Sequence, residues 1–153
     1  MNKEFDYIVI GAGIAGCCLA YFLSKYSKSI LLIDRNRQVA FGASGAAGAF
    51  LSPLLGKPND FKDLITKSVI FSTNFYKNLG EELVSNCGVC RIPKNEEDRD
   101  KFESYKPYMD FKYTQMDDGY FFEIGSQVTP SLICEKLTKD IEKKLSYNVE
   151  KLE

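Results

Sequence analysis

The sequence predicts an α/β fold that opens with a strand–helix–strand unit. Three observations carry this reading. Phe5 to Ile10 is a short apolar run rich in β-branched residues; Gly11, Gly13 and Gly16 follow it at once; and Ser29 to Asp34 is a second apolar run that closes on an acid. Two buried strands joined by one helix form a parallel pair through a right-handed crossover.

The elements follow in order. Gly11-Ala12-Gly13 turns the chain, and Ile14 to about Tyr26 is predicted helical, with Ala20 and Leu23 spaced to face the sheet. Gly42 to Gly48 holds only Gly, Ala and Ser and reads as a small-residue loop. Phe61 to Leu79 has helical periodicity, with Phe61, Leu64, Ile65, Phe75, Tyr76 and Leu79 mostly on one face and Gly80 as a stop. Gly88 to Pro93 predicts a strand and Glu96 to Tyr105 a charged helix, whose Glu96-Glu97-Asp98 is a negative first turn. Phe111 to Met116 and Tyr120 to Ile124 read as two strands around an Asp117-Asp118-Gly119 turn. Thr129 is placed as a cap and Pro130 as the first residue of a last helix running to about Leu145, and a strand is expected from Tyr147 to Leu152. Strand–helix–strand first and an antiparallel region after it make an α/β chain carrying part of an antiparallel α+β lobe.

Composition bounds the chemistry. With 153 residues, 44% hydrophobic and 27% charged, the chain suits one globular domain. A net charge of −1 gives no field to draw DNA or an anionic membrane, so neither partner is expected. The absence of histidine excludes Ser-His-Asp and Cys-His mechanisms within these residues and removes the commonest zinc ligand. Five cysteines, two of them adjacent at Cys17 and Cys18, do not form a disulfide framework, and a reducing cytoplasm is expected. Ile14-Ala15-Gly16-Cys17 looks like a lipoprotein cleavage box, but Glu4 and Asp6 precede the apolar run where a secretory signal needs positive charge. The run is also too short and too glycine-broken to span a membrane.

The glycine spacing gains its meaning from context. Gly11 permits a tight turn, Gly13 lets backbone approach a pyrophosphate, and Gly16 lets helix and strand pack closely. Gly11, Ala12, Gly13, Ile14, Ala15 and Gly16 together form a helix N-terminus that offers N–H groups and a positive dipole end to phosphates. Asp34 sits near the roughly 20-residue distance expected for an acid that grips ribose hydroxyls, with Arg35 beside it. Arg35 and Arg37 could greet the 2′-phosphate of NADP. The Asp34 carboxylate opposes this, because like charges about 4 Å apart cost roughly 4 kcal/mol near a protein surface. NAD or FAD remains. This is a Rossmann-like dinucleotide-binding signature.

The segment Gly42-Ala43-Ser44-Gly45-Ala46-Ala47-Gly48-Ala49-Phe50-Leu51-Ser52-Pro53-Leu54-Leu55 resembles the stretch after the second strand in the D-amino-acid oxidase (DAO) family of flavoenzymes. Within that family it is most similar to the oxidase domain of the bacterial enzymes that act on the methylaminomethyl group of the tRNA wobble uridine. Glycine oxidase and D-amino-acid dehydrogenase resemble it more distantly. The resemblance implies FAD as cofactor, with Ala43 and Ser44 at the phosphates and Gly48 and Ala49 beside the isoalloxazine. It implies residues 1–80 as the FAD-binding part, 81–125 as a partial substrate lobe, and 126–153 as a return helix and strand. The implied chemistry is oxidation of a C–N bond in a small amine, an amino acid or a modified tRNA nucleoside, with hydride transfer to flavin and hydrolysis of the imine. No catalytic residue and no metal site is identified. The alternative within the family is a D-amino-acid dehydrogenase or glycine-oxidase-like enzyme; because family members are longer than this chain, a truncated, non-catalytic dinucleotide-binding module is the alternative from another class.

Other constellations read as structural. Cys87-Gly88-Val89-Cys90 has redox or zinc-knuckle spacing but leads into a strand, and is expected to be two ordinary buried cysteines. Lys136, Lys139 and Lys143 are interleaved with Glu135, Asp140 and Glu142, which reads as a solvated helix face. Arg91 could face a substrate carboxylate or equally be a surface residue on its strand.

Overall fold

The computed structural model describes residues 3–151, which form two compact units. The first comprises residues up to Ala49 together with those from Thr129 on, and the second is Phe50–Val128. Residues 50–80 therefore pack with the antiparallel region, whereas the family resemblance groups them with the dinucleotide-binding part.

In the first unit, strand β1 (Tyr7–Ile10), helix α1 (Ile14–Leu23) and strand β2 (Ile30–Ile33) follow one another as expected. The strands pair in parallel, Tyr7 with Ile30 through Ile10 with Ile33. Val9, Ile30 and Leu32 are buried, as are Cys17 and Ala20 of α1. The small-residue loop contains one helical turn, α2 (Ala43–Ala46). Its glycines are not there for left-handed backbone; the positive φ values fall on Ala40 (55°) and Ala49 (52°). Gly45 is instead needed for space, since a Cβ there would lie 2.1 Å from the Ala40 carbonyl oxygen.

The last helix, α5 (Pro130–Leu137), is shorter than expected. Thr129 holds the N-cap position, but its side chain makes no capping bond. Thr138 ends the helix: it is buried, its hydroxyl donates to the Cys134 carbonyl at 2.7 Å, and Ile141 N–H turns back to the Thr138 carbonyl. The Lys143 ammonium also donates to the Thr138 carbonyl, so Lys136, Lys139 and Lys143 do not share one helix. The chain then adds a third parallel strand, β9 (Glu142–Lys144), against β2. The predicted strand thus begins at Glu142 rather than Tyr147; residues 147–151 are irregular and Leu152 lies outside the described residues. Cys17 and Cys134 are free thiols buried where α1 and α5 meet, and the hydrogen bond between them, with burial added, pushes the Cys134 thiol up.

The second unit holds two antiparallel sheets. Strands β3 (Phe50–Leu51), β8 (Ser126–Val128) and β4 (Val84–Ser85) form one, with β8 central. Strands β5 (Val89–Arg91), β7 (Gly119–Phe122) and β6 (Thr114–Met116) form the other, β7 central, with the expected turn at 117–118. Its core stacks Phe102 of helix α4 (Glu96–Tyr105) on Tyr120, with Phe122 beneath and Tyr113 edge-on at 5.2 Å. Helix α4 begins as predicted: Asn95 caps the Asp98 N–H at 2.9 Å, and Asp98 returns a bond to the Lys94 N–H.

Helix α3 (Asp60–Leu79) buries only part of the face its apolar residues mark: Tyr76 is buried and Ile65, Phe75 and Leu79 are half-buried. Lys62, Val69, Thr73 and Tyr76 are buried, while Phe61 and Leu64 are exposed. Lys62 is inside because its charge is matched. Its ammonium meets Asp110 at 2.9 Å and donates to the Tyr108 carbonyl, with the side chain 3% exposed. Cys87 and Cys90 are exposed, not buried: Cys87 precedes β5, and Cys90 is the middle residue of that short strand, paired with Phe121 and open to solvent.

Two stability effects follow. A Cβ on residue 16 would stand 1.8 Å from the Gly11 carbonyl oxygen. Gly16→Ala should therefore lower unfolding stability by roughly 3 kcal/mol or more in urea denaturation; a change below about 1 kcal/mol would show that helix and strand can separate cheaply. Lys62→Ala should cost about 3 kcal/mol by stranding Asp110 and the Tyr108 carbonyl. Lys101→Ala, which breaks the exposed pair with Glu97, should stay within about 0.5 kcal/mol.

Candidate dinucleotide site

The glycine turn is bolted to β2 at the carboxyl ends of the strands. Gly11, at φ 103°, donates its N–H to the Ile33 carbonyl at 2.7 Å. The next N–H, that of Ala12, donates to Asp34 Oδ2 at 2.6 Å. A positive φ at residue 11 aims these successive groups across the strand ends, which is why glycine stands there. Asp34 Oδ1 accepts from the Asn36 N–H at 2.7 Å and from the Asn36 amide at 2.9 Å. Burial pushes the Asp34 carboxyl up, but the Ala12 and Asn36 bonds and the Arg35 charge outweigh it, holding the group below its usual range.

Helix α1 has no cap from its own N-cap residue, Gly13. The cap comes from α2: Ser44 Oγ accepts the Ile14 N–H at 3.0 Å, and a Cβ on Gly13 would reach within 3.1 Å of that hydroxyl. No acidic side chain stands in the first turn of α1, whereas α3 and α4 carry Asp60 and Asp63, and Glu96, Glu97 and Asp98. The positive end of α1 is thus left for an anion from elsewhere.

Gly11, Ala12, Gly13, Ile14, Asp34 and Ser44 come together through these contacts. Ala15 and Arg35 flank them, exposed. Ala43 opens α2 and is exposed, as is Gly48, and Ala49 follows in the left-handed region. Asn36, Ala40 and residues 146–149 had no distinguishing sequence signal. Ala40 N–H donates to the Ala12 carbonyl at 2.8 Å, Ser146 N–H to the Asn36 carbonyl, and Tyr147 N–H to the Asp34 carbonyl. A cavity of about 180 Å³ lies between Ile10, Gly11, Ile33, Asp34 and Arg35 on one side and residues 147–149 on the other. This is the crevice beyond the strand ends where open parallel sheets bind ligands. Among the described residues, no helix is long and apolar enough to cross a membrane, and no three Cys, Asp or Glu side chains are grouped to hold a metal.

The chain is similar to known flavoenzymes. It is 24% identical, over its whole length and 25% of the other, to the tRNA 5-methylaminomethyl-2-thiouridine biosynthesis bifunctional protein MnmC of Campylobacter fetus. It is 33% identical to the glycine oxidase of Bacillus subtilis over 58% of this chain and 23% of that one. The fold matches the glycine oxidase of Geobacillus kaustophilus with a TM-score of 0.75 at 14% identity, covering 94% of this chain and 46% of the other. It matches the L-amino acid deaminase of Proteus vulgaris with a TM-score of 0.72 at 16% identity, covering 95% and 40%. The chain thus spans about a quarter of the curated relatives it matches and under half of these solved structures. The family profile for FAD dependent oxidoreductases, DAO, matches residues 6–124, and the chain belongs to that family.

Proposed function

We propose that this chain supplies the flavin-binding turn of an amine oxidoreductase, holding the ADP half of FAD with residues 11–16, Asp34, Arg35, Ala43 and Ser44. The supporting observation is the Asp34 carboxylate, fixed at the strand ends by the Ala12 N–H and by Asn36. The residues fit the group. Space beside Gly11 is open to 4 Å around an added Cβ, the α1 N-terminus is capped by Ser44 and has no acid in its first turn, and Asp34 is held below its usual range, which favours the carboxylate that accepts ribose hydroxyls. Gly48 and Ala49 are assigned to the neighbourhood of the flavin ring. Bound FAD supplies the two-electron acceptor for oxidising a C–N bond; the chain's own residues bind and orient it.

The substrate in this reading is an amine, either a small amino acid or the methylaminomethyl group of a tRNA wobble uridine. The tRNA reading draws on a relative that matches this chain along its whole length. A cytoplasmic setting belongs to the same proposal, supported by the exposed free thiols Cys87 and Cys90, which persist in a reducing compartment.

Titration of the chain with FAD and, separately, NAD, followed by flavin fluorescence and thermal shift, tests the cofactor. Saturable FAD binding is expected, lost in Gly13→Val, whose branched side chain enters the space at Ser44, and weakened roughly tenfold or more in Asp34→Ala. Binding of NAD alone would overturn the flavin reading. The pH dependence has a defined sign. Asp34 is depressed below its ordinary 3.8, so the stability it lends is complete above that value and is lost as pH falls through its lower folded value. The gap in urea midpoint between the parent chain and Asp34→Asn should be constant from neutral pH to about 4 and should close below it. A gap that widens on acidification would mean that Asp34 is not held as a carboxylate.

A further inference from the structure

Asp34 stands half-buried at the crevice, and its backbone is committed before any ligand arrives. Its N–H donates to the Lys144 carbonyl at 3.1 Å, and its own carbonyl accepts the Tyr147 N–H at 3.0 Å. Asn36, also half-buried, is held by the same segment: its carbonyl accepts the Ser146 N–H at 2.9 Å. All of these residues belong to the first unit. The stretch from Asp34 to Asn36 is therefore pinned at both ends, and the Asn36 backbone stays beside the Asp34 side chain.

From there Asn36 places two donors on one oxygen. Its N–H reaches Asp34 Oδ1 at 2.7 Å, and its side-chain amide reaches the same atom at 2.9 Å. The amide has to present its nitrogen, since its oxygen would face a carboxylate oxygen. A carboxylate oxygen accepts at about two positions, so Oδ1 is full. On Oδ2 the Ala12 N–H takes one position at 2.6 Å. Among the described residues no ammonium or guanidinium lies within 4 Å of this carboxylate. One acceptor position is left, on the oxygen that meets the glycine turn. A vicinal diol grips a carboxylate as a fork by giving one hydroxyl to each oxygen. Here that fork closes only by expelling the Asn36 amide from a bond to a charged group, which is among the stronger hydrogen bonds to lose.

We propose that Asn36 limits Asp34 to a single ribose hydroxyl, so that the site reads one hydroxyl of the adenosine and not its neighbour. The proposal rests on the dinucleotide reading of this crevice and narrows it from the diol to one hydroxyl. Asn36 is a positioning residue in this scheme: it acts on Asp34 rather than on the ligand, and it sets which acceptor Asp34 has left.

The test is an NMR titration of the ¹⁵N-labelled chain with ADP, 2′-deoxyADP and 3′-deoxyADP, read from the amides of residues 11–14 and 34–36. One deoxynucleotide should bind within about twofold of ADP, and the other roughly tenfold or more weaker, because it lacks the hydroxyl that meets the charged acceptor. Asn36→Ala vacates one position on Oδ1 while keeping the backbone N–H. In that variant both deoxynucleotides should bind several-fold weaker than ADP, whereas a merely structural Asn36 would lower the affinity for all three alike. Equal weakening of the two deoxynucleotides by the parent chain, or weakening of neither, overturns the proposal. So does a pattern in Asn36→Ala unchanged from that of the parent. The parent chain decides the matter alone if Asn36→Ala does not fold. FAD separates the two readings. Saturable FAD binding with equal deoxynucleotide penalties removes the one-hydroxyl limit alone, whereas failure of both FAD and ADP to bind removes the dinucleotide reading beneath it.

Discussion

The Gly11 carbonyl oxygen lies 1.8 Å from where any Cβ on residue 16 would stand. That approach draws the first turn of α1 onto the end of β1, and the rest of the first unit is arranged around it. Because helix and strand are so close, the turn between them is short enough for two consecutive N–H groups to reach β2, one to the Ile33 carbonyl and the other to Asp34. Backbone groups that would otherwise be orphaned at a tight turn are thereby satisfied. The same turn accepts in the other direction, from Ala40 N–H to the Ala12 carbonyl. The chain just before the small-residue segment is thus tied back to the glycine turn, and Ser44 is within reach of the α1 N-terminus.

The second unit solves the same problem of close approach with different chemistry. There the bare glycine backbones meet aromatic rings and strand carbonyls: Gly88 under Phe121, Gly119 against Arg91. Its one deeply buried charge, Lys62, is tolerated because Asp110 and the Tyr108 carbonyl lie around it. That pair ties the start of α3 to the segment after α4. It also explains why α3 turns its lysine inward and leaves Phe61 and Leu64 at the surface.

The first 34 residues were legible because local and long-range signals agree there: β-branched strands, a spaced glycine turn and a closing acid each predict the same unit. The charged α4 and the turn at 117–118 were legible for the same reason. Strand β9 was not, because Glu142-Lys143-Lys144 carries no strand pattern. As an edge strand it is held by backbone bonds to β2, and its residues are exposed, with the Lys143 ammonium folding back onto the Thr138 and Ile141 carbonyls. Periodicity carries helix α5 too far because the helix end is set by the buried Thr138 bonding back to Cys134, a contact that periodicity does not encode. Apolar periodicity places only the later part of the α3 face, at Tyr76; its first turn buries Lys62 instead, and a buried lysine is legible only once its partner, 48 residues away, is known. Of the candidate site, Asp34 and the glycines were read from spacing. Ser44 was singled out by resemblance alone, and its capping of Ile14 depends on a turn of helix that the small-residue run did not announce.

The hydrogen-bond inventory of Asp34 bears on how one residue serves both fold and ligand. An ionised carboxylate offers about four acceptor positions. Two on Oδ1 are taken by Asn36, through its backbone and its amide, and one on Oδ2 by Ala12. The three donors fix the carboxylate plane without exhausting it, leaving capacity on Oδ2 beside the glycine turn. An asparagine in its place would have to present its oxygen either to Ala12 or to Asn36 and would turn an N–H₂ toward the other, a donor facing a donor. A glutamate would carry the carboxylate past the Ala12 N–H that holds it. The requirement for aspartate at residue 34 therefore follows first from the turn it closes. In the proposed complex, the ribose would be recognised by the acceptor capacity that closing the turn leaves over.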